Sequence, residues 1–410
     1  MYLHHLSLTN FRTFSRLDLD ASRGTIVLVG DNAQGKTSIL EAVYLLATLT
    51  SFQAESDRQL IHFIAAREPQ PVVVARVQAE YQRGSRRHHM EVRVIQERNG
   101  VSGTRRVRKE VLIDGRKHKV SEAVGHFNAV LFLPQMLRVI DGAPKNRRRY
   151  LDLALAQVVP DYTATLSTYN RVLSQRNALL KQLNEQPSDP GQLLFWDEQL
   201  AALGARLIYA RIHAVQELER LAALIHHDLT QGREVLRLNY CPAYDPLPSA
   251  NGQYALALDD PRDRSGLDVG EIERGFMEKL QALRREEIAR GVTTIGPHRD
   301  ELRFLSNGID LGTYGSRGQI RTALLAIKLA EVEWMKSKTG QWPVLLLDEV
   351  LAELDHHRRE DLQARAIACD QVLMTTTDLS LFSDDFLPQA RIWEVREGRV
   401  KDKTNVPVSG

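Results

Sequence analysis

The sequence feature that most constrains the fold is a glycine-rich segment near the start of the chain, of the form G-x-x-x-x-G-K-T. It follows a short β-branched apolar run at residues 25–29 and precedes residues 38–46, whose composition is that of a helix. In such a strand–loop–helix, N–H groups of the loop and the helix N-terminus converge where a polyphosphate can bind. The pattern therefore predicts a nucleotide site formed by Gly30, Asp31, Asn32, Ala33, Gln34, Gly35, Lys36, Thr37 and Ser38.

Four residues of this phosphate loop (residues 30–37) have predicted roles of their own. Gly30 and Gly35 permit backbone angles and a close approach that a Cβ atom would block. The Lys36 ammonium would reach the β- and γ-phosphates, and the Thr37 hydroxyl would bind Mg²⁺. The alternative is a chance glycine-rich turn, which the preceding strand and the following helix disfavour.

Length and cysteine usage narrow the class of protein. At 410 residues the chain exceeds the usual limit of one hydrophobic core, so two lobes are expected. Only Cys241 and Cys369 are present, too few for a disulfide framework, which favours a reducing compartment. There is neither a signal-like start nor an apolar run of membrane-spanning length. We therefore expect a cytoplasmic protein without a membrane partner.

Charge is nearly balanced over the whole chain but unevenly distributed. The segment from Arg83 to Lys119 contains 12 Lys and Arg residues against 4 Asp and Glu residues. Such a basic block can bind phosphate groups of DNA, or it can be the solvated edge of a hairpin that charge keeps soluble. The two interpretations stay open from charge alone.

The centre of the chain has helical character. Apolar residues recur in steps of three and four at Leu166, Tyr169, Leu173, Leu180 and Leu183, with Arg176 at one position of the same series, and the spacing recurs between Trp196 and Ala214. This spacing predicts an antiparallel helical hairpin with arms about 40 Å long. For Arg176 in its seam the alternatives are a functional residue and a residue that extends its charge to solvent at the edge of the core, and the second is expected. Residues 241–268 are rich in Pro, Gly and Asp and predict a loop, followed by a helix at about 269–290.

An apolar run at residues 344–347 ends in two acids. Asp348 would hold Mg²⁺, mostly through water, and Glu349 would polarise the attacking water. Any buried strand can end in an acid, but beside a phosphate loop the pair is informative. Asp348 lies 312 residues after Lys36, far more than a compact nucleotide-binding domain needs. The spacing predicts a split head, with parts at 1–142 and 291–410 and a helical arm lobe at 143–290.

The split head and the motif GSRGQ at residues 315–319 resemble ABC-type ATPases. In that family this signature completes the nucleotide site of the opposite subunit, which implies that Ser316, Gly318 and Gln319 contact nucleotide there; an ordinary N-capped helix is the alternative. Asp355 ends a segment, LAELD, that is similar to the family's D-loop. Gln135 matches the Q-loop glutamine that contacts Mg²⁺ and the attacking water. Thr377 stands where ABC transporters carry a switch histidine, which fits slow hydrolysis.

Further motifs resemble the RecF family of bacterial recombination mediators. They are NAQGKT (32–37), GAP (142–144) with RRRYLD (147–152), SQRNALL (174–180) and GPHRD (296–300), and LTNFR (8–12) is shared with the wider SMC-type head family. The resemblance implies an α/β fold, namely an ABC-type, SMC-like ATPase head split in sequence, with an inserted helical lobe that contains a short antiparallel hairpin.

The resemblance also implies a function. It implies a homodimer that sandwiches ATP and Mg²⁺, binds duplex DNA and gapped junctions, and helps load the strand-exchange recombinase together with RecO and RecR. Hydrolysis would be weak, stimulated by DNA, and would drive dimer dissociation, with Lys36, Gln135 and Glu349 as catalytic residues. In the basic block, the candidate DNA contacts are Arg105, Arg106, Arg108 and Lys109.

Three other functions are alternatives to this one. A transporter ATPase subunit should have the switch histidine and a compact head, and neither is found in the sequence. A structural SMC-type clamp should have hundreds of residues of heptads, whereas the arms here have roughly 25 residues each. A small-molecule kinase would need neither the signature nor the D-loop.

Overall fold

The computed structural model describes residues 1–67, 70–98, 105–247 and 263–404. The described strands are β1 (Tyr2–Phe11), β2 (Phe14–Asp20), β3 (Gly24–Val29), β4 (Val72–Arg83), β5 (Arg86–Arg98), β6 (Arg105–Ile113), β7 (Arg116–His118), β8 (Ala129–Phe132), β9 (Leu236–Cys241), β10 (Glu301–Ser306), β11 (Ile309–Asp310), β12 (Val344–Asp348), β13 (Gln371–Thr376), β14 (Ala390–Arg396) and β15 (Arg399–Asp402).

The described α-helices occur between groups of these strands along the chain. They are α1 (Lys36–Thr48), α2 (Phe63–Arg67), α3 (Val120–Ala123), α4 (Arg138–Asp141), α5 (Pro144–Val158), α6 (Tyr162–Glu185), α7 (Leu194–Leu229), α8 (Val269–Arg290), α9 (Leu311–Tyr314), α10 (Arg317–Thr339) and α11 (His356–Ile367). None of these described helices is both long and apolar enough to cross a membrane.

The chain divides into two compact units. The first combines Met1–Met136 with Glu331–Gly410, and the second is Leu137–Ala330. The division predicted from the sequence, with boundaries after residues 142 and 290, stays a prediction. Residues 248–262 of the predicted loop at 241–268 lie outside the described residues, as do residues 99–104 of the basic block.

The first unit contains a sheet of mainly parallel strands in the order β15-β14-β3-β13-β12-β8. The strands β14, β3, β13, β12 and β8 run parallel, and β15 pairs antiparallel with β14 at one edge. Every residue of β12 and β13 is buried, which fits the apolar runs at 344–347 and 372–374 within them. The carboxyl ends of β3, β12 and β13 lie at the same edge, where parallel sheets bind their ligands.

A second sheet of the first unit is antiparallel, in the order β2-β1-β4-β5-β6-β7. Its strands alternate: Val73, Ala75, Val77 and Ala79 of β4 are buried, because one face of the sheet packs on the core and the other faces solvent. The helix α1 is buried over nearly its whole length and contacts strands of both sheets. The core of this unit therefore holds in place the helix that follows the phosphate loop.

The predicted helical hairpin forms within the second unit, from α6 and α7. The two helices are antiparallel, because residues that come earlier in α6 contact residues that come later in α7. Spaced by seven residues along each helix, the contacts are Arg176 with Asp197, Tyr169 with Gly204, and Tyr162 with Arg211. Gly204 permits the close approach: a Cβ atom there would lie 2.5 Å from Cε1 of Phe276 on α8. The helix α7 has 36 residues, or about 54 Å, and so exceeds the predicted arm length.

The expectation for Arg176 was wrong. Its side chain is fully buried rather than extended to solvent. The guanidinium lies 2.8 Å from the Asp197 carboxylate and 2.7 Å from that of Glu287, and it donates a 2.7 Å hydrogen bond to the Thr293 hydroxyl. Two buried carboxylates on α7 and α8 compensate the desolvated charge, and a heptad pattern read from one helix cannot reveal them.

The motif GPHRD at residues 296–300 is a buried anchor of the second unit. The Asp300 carboxylate, 1% exposed, accepts hydrogen bonds from Arg211 at 2.8 Å and from the backbone N–H of Ala243 at 2.9 Å. The hydroxyl of Tyr240 donates to the same carboxylate. His298 accepts or donates a 2.8 Å hydrogen bond with the Tyr169 hydroxyl. The motif thus joins α6, α7 and β9 by side-chain contacts.

Candidate nucleotide site

The phosphate loop has the backbone that its glycines predict. A Cβ atom on Gly30 would lie 2.2 Å from the carbonyl oxygen of Val395, so no larger residue fits there. Gly35 has φ +106 and caps the N-terminus of α1, and its Cβ would lie 2.8 Å from the ring of Phe14. One glycine therefore permits close packing and the other a left-handed turn into the helix.

The ammonium group of Lys36 lies inside this turn. The side chain is buried, and its Nζ donates to the carbonyl oxygens of Gly30 and, at 3.1 Å, Asp31. It also lies 3.1 Å from Oε1 of Glu349. The structure thus places the predicted phosphate-binding cation beside the predicted water-polarising acid.

The Thr37 hydroxyl contacts Asp348, at the end of β12 in the C-terminal part of the chain. Its Oγ1 lies 2.9 Å from Oδ1 and 3.0 Å from Oδ2 of Asp348. A hydroxyl and a carboxylate are the oxygen donors that hold Mg²⁺ in nucleotide sites, where the ion keeps several waters and binds few protein groups. The donor set therefore fits Mg²⁺, with Thr37 and Asp348 as the residues that would hold it.

The Asp348 carboxylate is poised between two opposing effects. Burial raises its pKa above the ordinary value, while hydrogen bonds from Thr375 and Thr37 act to lower it. The nearby charge of Glu349 also raises the pKa of Asp348, and that of Lys36 lowers it. A divalent cation at this carboxylate would favour its ionised form, because opposite charge stabilises the anion.

Sequence reasoning missed Thr375 as a residue of this site. It pairs with Asp348 across the parallel strands β12 and β13. Its Oγ1 donates a 2.7 Å hydrogen bond to Oδ1 of Asp348 and accepts a 3.0 Å hydrogen bond from the backbone N–H of Glu349. Residues 375–377 are all threonine, and only the pairing of β12 with β13 shows that Thr375 is the one beside Asp348. A single sequence does not give the register of that pairing.

Glu349 has a left-handed backbone with φ 54. For a residue other than glycine this conformation costs on the order of 1–3 kcal/mol and persists where the surroundings fix it. The hydrogen bond from its N–H to Thr375 is one such contact. Its side chain is 29% exposed, although Oε1, the carboxylate oxygen beside Lys36, is buried.

The LTNFR motif supports the helix that begins at Lys36. Arg12, with φ 52, extends Nε to within 2.7 Å of Oε2 of Glu41 on α1. Glu41 is fully buried and also accepts a hydrogen bond from the hydroxyl of Ser51. Burial raises the pKa of Glu41, and Arg12 and Ser51 oppose that effect. These contacts fix the rotation of α1 and hence the direction of its first turn.

The remaining loop residues are placed as follows. Asp31, Asn32 and Ala33 are exposed, Ala33 with φ 63, and Ser38 is buried in the first turn of α1. Gln34 accepts a 2.6 Å hydrogen bond from the N–H of Glu397 in the β14–β15 turn. Gln135 is exposed in a short 3₁₀ turn, and its side chain has no hydrogen bond to another described residue. Its predicted Mg²⁺ role stays a prediction.

The signature residues lie in the second unit, at the start of α10. The Ser316 hydroxyl accepts a 3.2 Å hydrogen bond from the N–H of Gln319, and the Gln319 side chain accepts a 3.1 Å bond from the N–H of Ser316. This is a capping box. Ser316 and Gly318 are exposed, and Gln319 also donates to Glu234 at 3.2 Å. Within its own chain Ser316 thus acts as a helix cap.

Two residues near the acidic pair (Asp348 and Glu349) have local roles. Asp355 caps α11 by accepting a 3.0 Å hydrogen bond from the N–H of Arg358, and this bond lowers the pKa of its carboxyl. Thr377 is exposed just after β13. The contact of Asp355 with nucleotide, implied by its D-loop position, stays a prediction.

The four candidate DNA contacts lie on opposite faces of β6, because successive strand residues alternate. Arg105 donates to the carbonyl oxygen of Ala66 at 3.1 Å, and Lys109 lies 2.8 Å from the carboxylate of Asp57. Arg108 pairs with Glu97 at 3.1 Å and with Glu110. Arg106 is exposed, and no ion pair joins it to another described residue. Arg106 is therefore the most available of the four.

Comparison with known proteins identifies the family. Residues 2–386 match the model of the RecF/RecN/SMC N-terminal domain family. The DNA replication and repair protein RecF of Chloroflexus aurantiacus is 41% identical over 407 residues, which cover 98% of this chain and 99% of that one. The chain belongs to the RecF family. The resemblance seen in the short motifs is thereby confirmed over nearly the whole length.

Two solved RecF structures have the same fold. Both carry the description of the recombination mediator protein RecF in the RecFOR pathway, one with ATPrS and one with ATP. The first has a TM-score of 0.79 and the second 0.78, each at 27% identity and over 98% of this chain. They cover 98% and 97% of those chains, respectively. The predicted fold class, an α/β ABC-type ATPase head of the SMC-like kind, is confirmed for this RecF-family chain.

Proposed function

We propose that this RecF-family chain is an ATP-dependent DNA-binding protein of recombinational repair and replication restart, in which two copies dimerise around ATP. The observation that carries the proposal is the contact of Thr37 with Asp348, which joins the phosphate loop to the acidic strand. The RecF described with ATP, similar in fold over nearly the full length, supports ATP as the nucleotide.

The phosphate loop and the acidic strand of one copy would supply several of the groups that phosphoryl chemistry needs. Lys36 would exchange its contacts with the loop carbonyls for the β- and γ-phosphates, and the loop N–H groups would bind the same oxygens. Thr37 and Asp348 would hold Mg²⁺, with Gln135 as a further candidate. When bound, the ion supplies a Lewis acid that neutralises charge on the phosphate oxygens. Glu349 would orient the attacking water and accept its proton.

We expect this hydrolysis to be slow and to be stimulated by DNA. No cationic side chain is available at position 377, where the exposed Thr377 cannot sense the γ-phosphate by charge. A slow reaction would suit a timer, since the dimer would last as long as its ATP. Hydrolysis would then release the two copies from each other and from DNA.

The dimer proposal assigns the signature segment (residues 315–319) to the partner's nucleotide. Ser316 and Gly318 are exposed at the N-terminus of the 23-residue helix α10, where N–H groups and the helix dipole favour an anion. In the capping box the Ser316 hydroxyl accepts a hydrogen bond from its own helix. Its proton can then be donated to a phosphate oxygen. Asp355 would lie at the same interface.

DNA and protein partners complete the proposal. Arg106 would contact backbone phosphates, which gives sequence-independent affinity that falls with salt. The double-stranded DNA partner would include junctions with single-stranded gaps. RecO and RecR would act with the dimer in loading the recombinase, as the RecFOR description of the solved relatives suggests for this family.

A mixing experiment tests the shared site. Lys36→Ala removes the phosphate-binding cation, and Ser316→Asp keeps the helix cap while placing a negative charge against the γ-phosphate. Each variant alone should lack ATPase activity. In a mixture, heterodimers combine an intact phosphate loop with an intact signature, so activity should return. Ser316→Asn, which caps α10 and can donate to a phosphate oxygen without adding charge, is the matched control and should retain more activity than Ser316→Asp. Full activity of Ser316→Asp alone, or no recovery on mixing, would contradict the proposal.

A further inference from the structure

The carboxyl end of β13 carries a threonine whose hydroxyl contacts both predicted acids. Thr375 is 4% exposed and Asp348 is 7% exposed, and the two residues are directly paired between neighbouring parallel strands. Their side chains therefore leave the sheet on the same side and meet at 2.7 Å. The N–H of Glu349 reaches the same hydroxyl at 3.0 Å.

The hydrogen-bond directions at Thr375 are fixed by its chemistry. A hydroxyl has one proton to donate and lone pairs to accept. The Glu349 N–H can only donate, so it donates to a lone pair of the Thr375 hydroxyl. The hydroxyl proton of Thr375 is then donated to the Asp348 carboxylate, which is an acceptor when ionised. Thr37 donates to that carboxylate from the phosphate loop. The rotation of the Asp348 carboxylate is thus set by two hydroxyls from two different segments.

The same hydroxyl supports the unusual backbone of Glu349. This residue has φ 54, a conformation that side-chain-bearing residues adopt rarely. Because φ fixes where Cβ points, the contact that holds the Glu349 N–H also helps fix the direction of its carboxylate. One buried oxygen atom therefore bears on the position of both acids.

We propose that Thr375 is a positioning residue for ATP hydrolysis, which orients the Asp348 carboxylate toward Mg²⁺ and holds Glu349 in the conformation that directs it to the attacking water. The inference rests on the proposed ATPase function and adds a residue to it. Such supporting residues around a metal ligand typically change metal affinity or activity 10- to 100-fold when they are removed.

The neighbouring Thr376 provides a matched control. It is 1% exposed on the same strand, and among the residues that the structure describes its hydroxyl bonds to the backbone of Asp378, at 2.8 and 3.0 Å. Replacement of either threonine by valine keeps size and β-branching and deletes one buried hydroxyl. The two substitutions thus share their effect on strand packing and differ in which group is deprived of its partner.

The experiment compares Thr375→Val, Thr375→Ser and Thr376→Val in the full chain. Steady-state ATPase kinetics should show kcat of Thr375→Val reduced roughly 10- to 100-fold with KM for ATP little changed. Mn²⁺ binding in the presence of a non-hydrolysable ATP analogue, followed by electron paramagnetic resonance, should weaken about tenfold. Thr375→Ser, which restores the hydroxyl, should approach wild type in both measurements, and Thr376→Val should match wild type.

Three results would overturn the inference. They are wild-type kcat and Mn²⁺ affinity in Thr375→Val, an equal loss in Thr375→Ser, and an equal loss in Thr376→Val; the last two would assign the effect to shape or strand stability. If the wild-type chain itself hydrolyses no ATP, the proposed function fails. The Mn²⁺ titration then still decides whether the Thr375 hydroxyl positions the metal ligand.

Discussion

The hydroxyl of Thr37 lies 2.9 Å from Oδ1 of Asp348, across 311 residues of sequence. The two residues belong to the first compact unit, whose two parts are separated in the chain by the whole of the second. A nucleotide held by both would therefore stabilise the closure of this unit. We expect ATP binding and closure of the unit to depend on the same two side chains.

Substitution of Asp348 should remove the metal-dependent part of ATP binding. Asp348→Asn keeps the size of the side chain and removes the negative charge that would hold Mg²⁺. We expect wild type to bind a fluorescent ATP analogue more tightly in MgCl₂ than in EDTA, and the variant to bind equally in both. Asp31→Asn, on the exposed part of the loop, is the control and should keep the difference. A magnesium effect of unchanged size in Asp348→Asn would show that the ion is held elsewhere.

Loss of the buried cation Arg176 should destabilise the second unit. Arg176→Met leaves the carboxylates of Asp197 and Glu287 without this partner, which we expect to lower the free energy of unfolding by roughly 3–5 kcal/mol. Arg171→Met, exposed on the same helix, should change it by less than about 0.5 kcal/mol. Urea unfolding measures both. Equal effects of the two substitutions would argue against the buried network.

Stability should depend on the protonation of His298. Burial, with help from Arg299, Arg148 and Arg211, lowers the pKa of His298 to about 4. The unfolded chain therefore binds this proton at higher pH than the folded one, so the stabilising contribution is complete above about pH 6.5 and is lost as pH falls toward 4. Between pH 7 and 5, wild type should lose about 2 kcal/mol more than His298→Gln in urea unfolding. Parallel pH profiles would mean that the pKa of His298 in the folded chain is the same as in the unfolded chain.

DNA affinity should depend on Arg106 through its salt dependence. If Arg106 binds a backbone phosphate, Arg106→Ala should reduce the slope of log affinity against log salt concentration by about 0.9 for each phosphate that the protein no longer neutralises. Arg105→Ala is the control, since Arg105 faces the other side of β6 and bonds to Ala66. Fluorescence anisotropy with duplex DNA and ATP measures both. A slope that changes only in Arg105→Ala would contradict the assignment, because the face of β6 that carries Arg105 would then contact DNA.

The local elements of the site could be predicted from the sequence because they depend on short-range chemistry. Gly30 and Gly35 adopt the close approach and the left-handed turn that their motif requires. The spacing between Lys36 and Asp348 indicated a head split by an insertion, and the first compact unit does combine the two ends of the chain. The heptad-like spacing of α6 and α7 likewise predicted an antiparallel hairpin, because its seam repeats along each helix.

What could not be predicted depends on contacts between distant segments. The register that puts Thr375 beside Asp348 arises from parallel strand pairing. The carboxylates that surround Arg176 lie on α7 and α8, so its burial follows from tertiary packing. The opposite orientations of Arg105 and Arg106 do follow from alternation along a strand, and treating the four basic residues as one surface overlooked that simple rule.

The central claim, that ATP joins two copies of the chain, is tested most directly by sedimentation velocity. Glu349→Gln removes the predicted water-polarising acid and keeps Lys36, Thr37 and Asp348, so ATP should bind and not be hydrolysed. We predict a monomer without nucleotide, a transient dimer of the wild-type chain with ATP and Mg²⁺, and a persistent dimer of Glu349→Gln under the same conditions. Sedimentation that is identical with and without ATP, in wild type and in Glu349→Gln, would contradict the account.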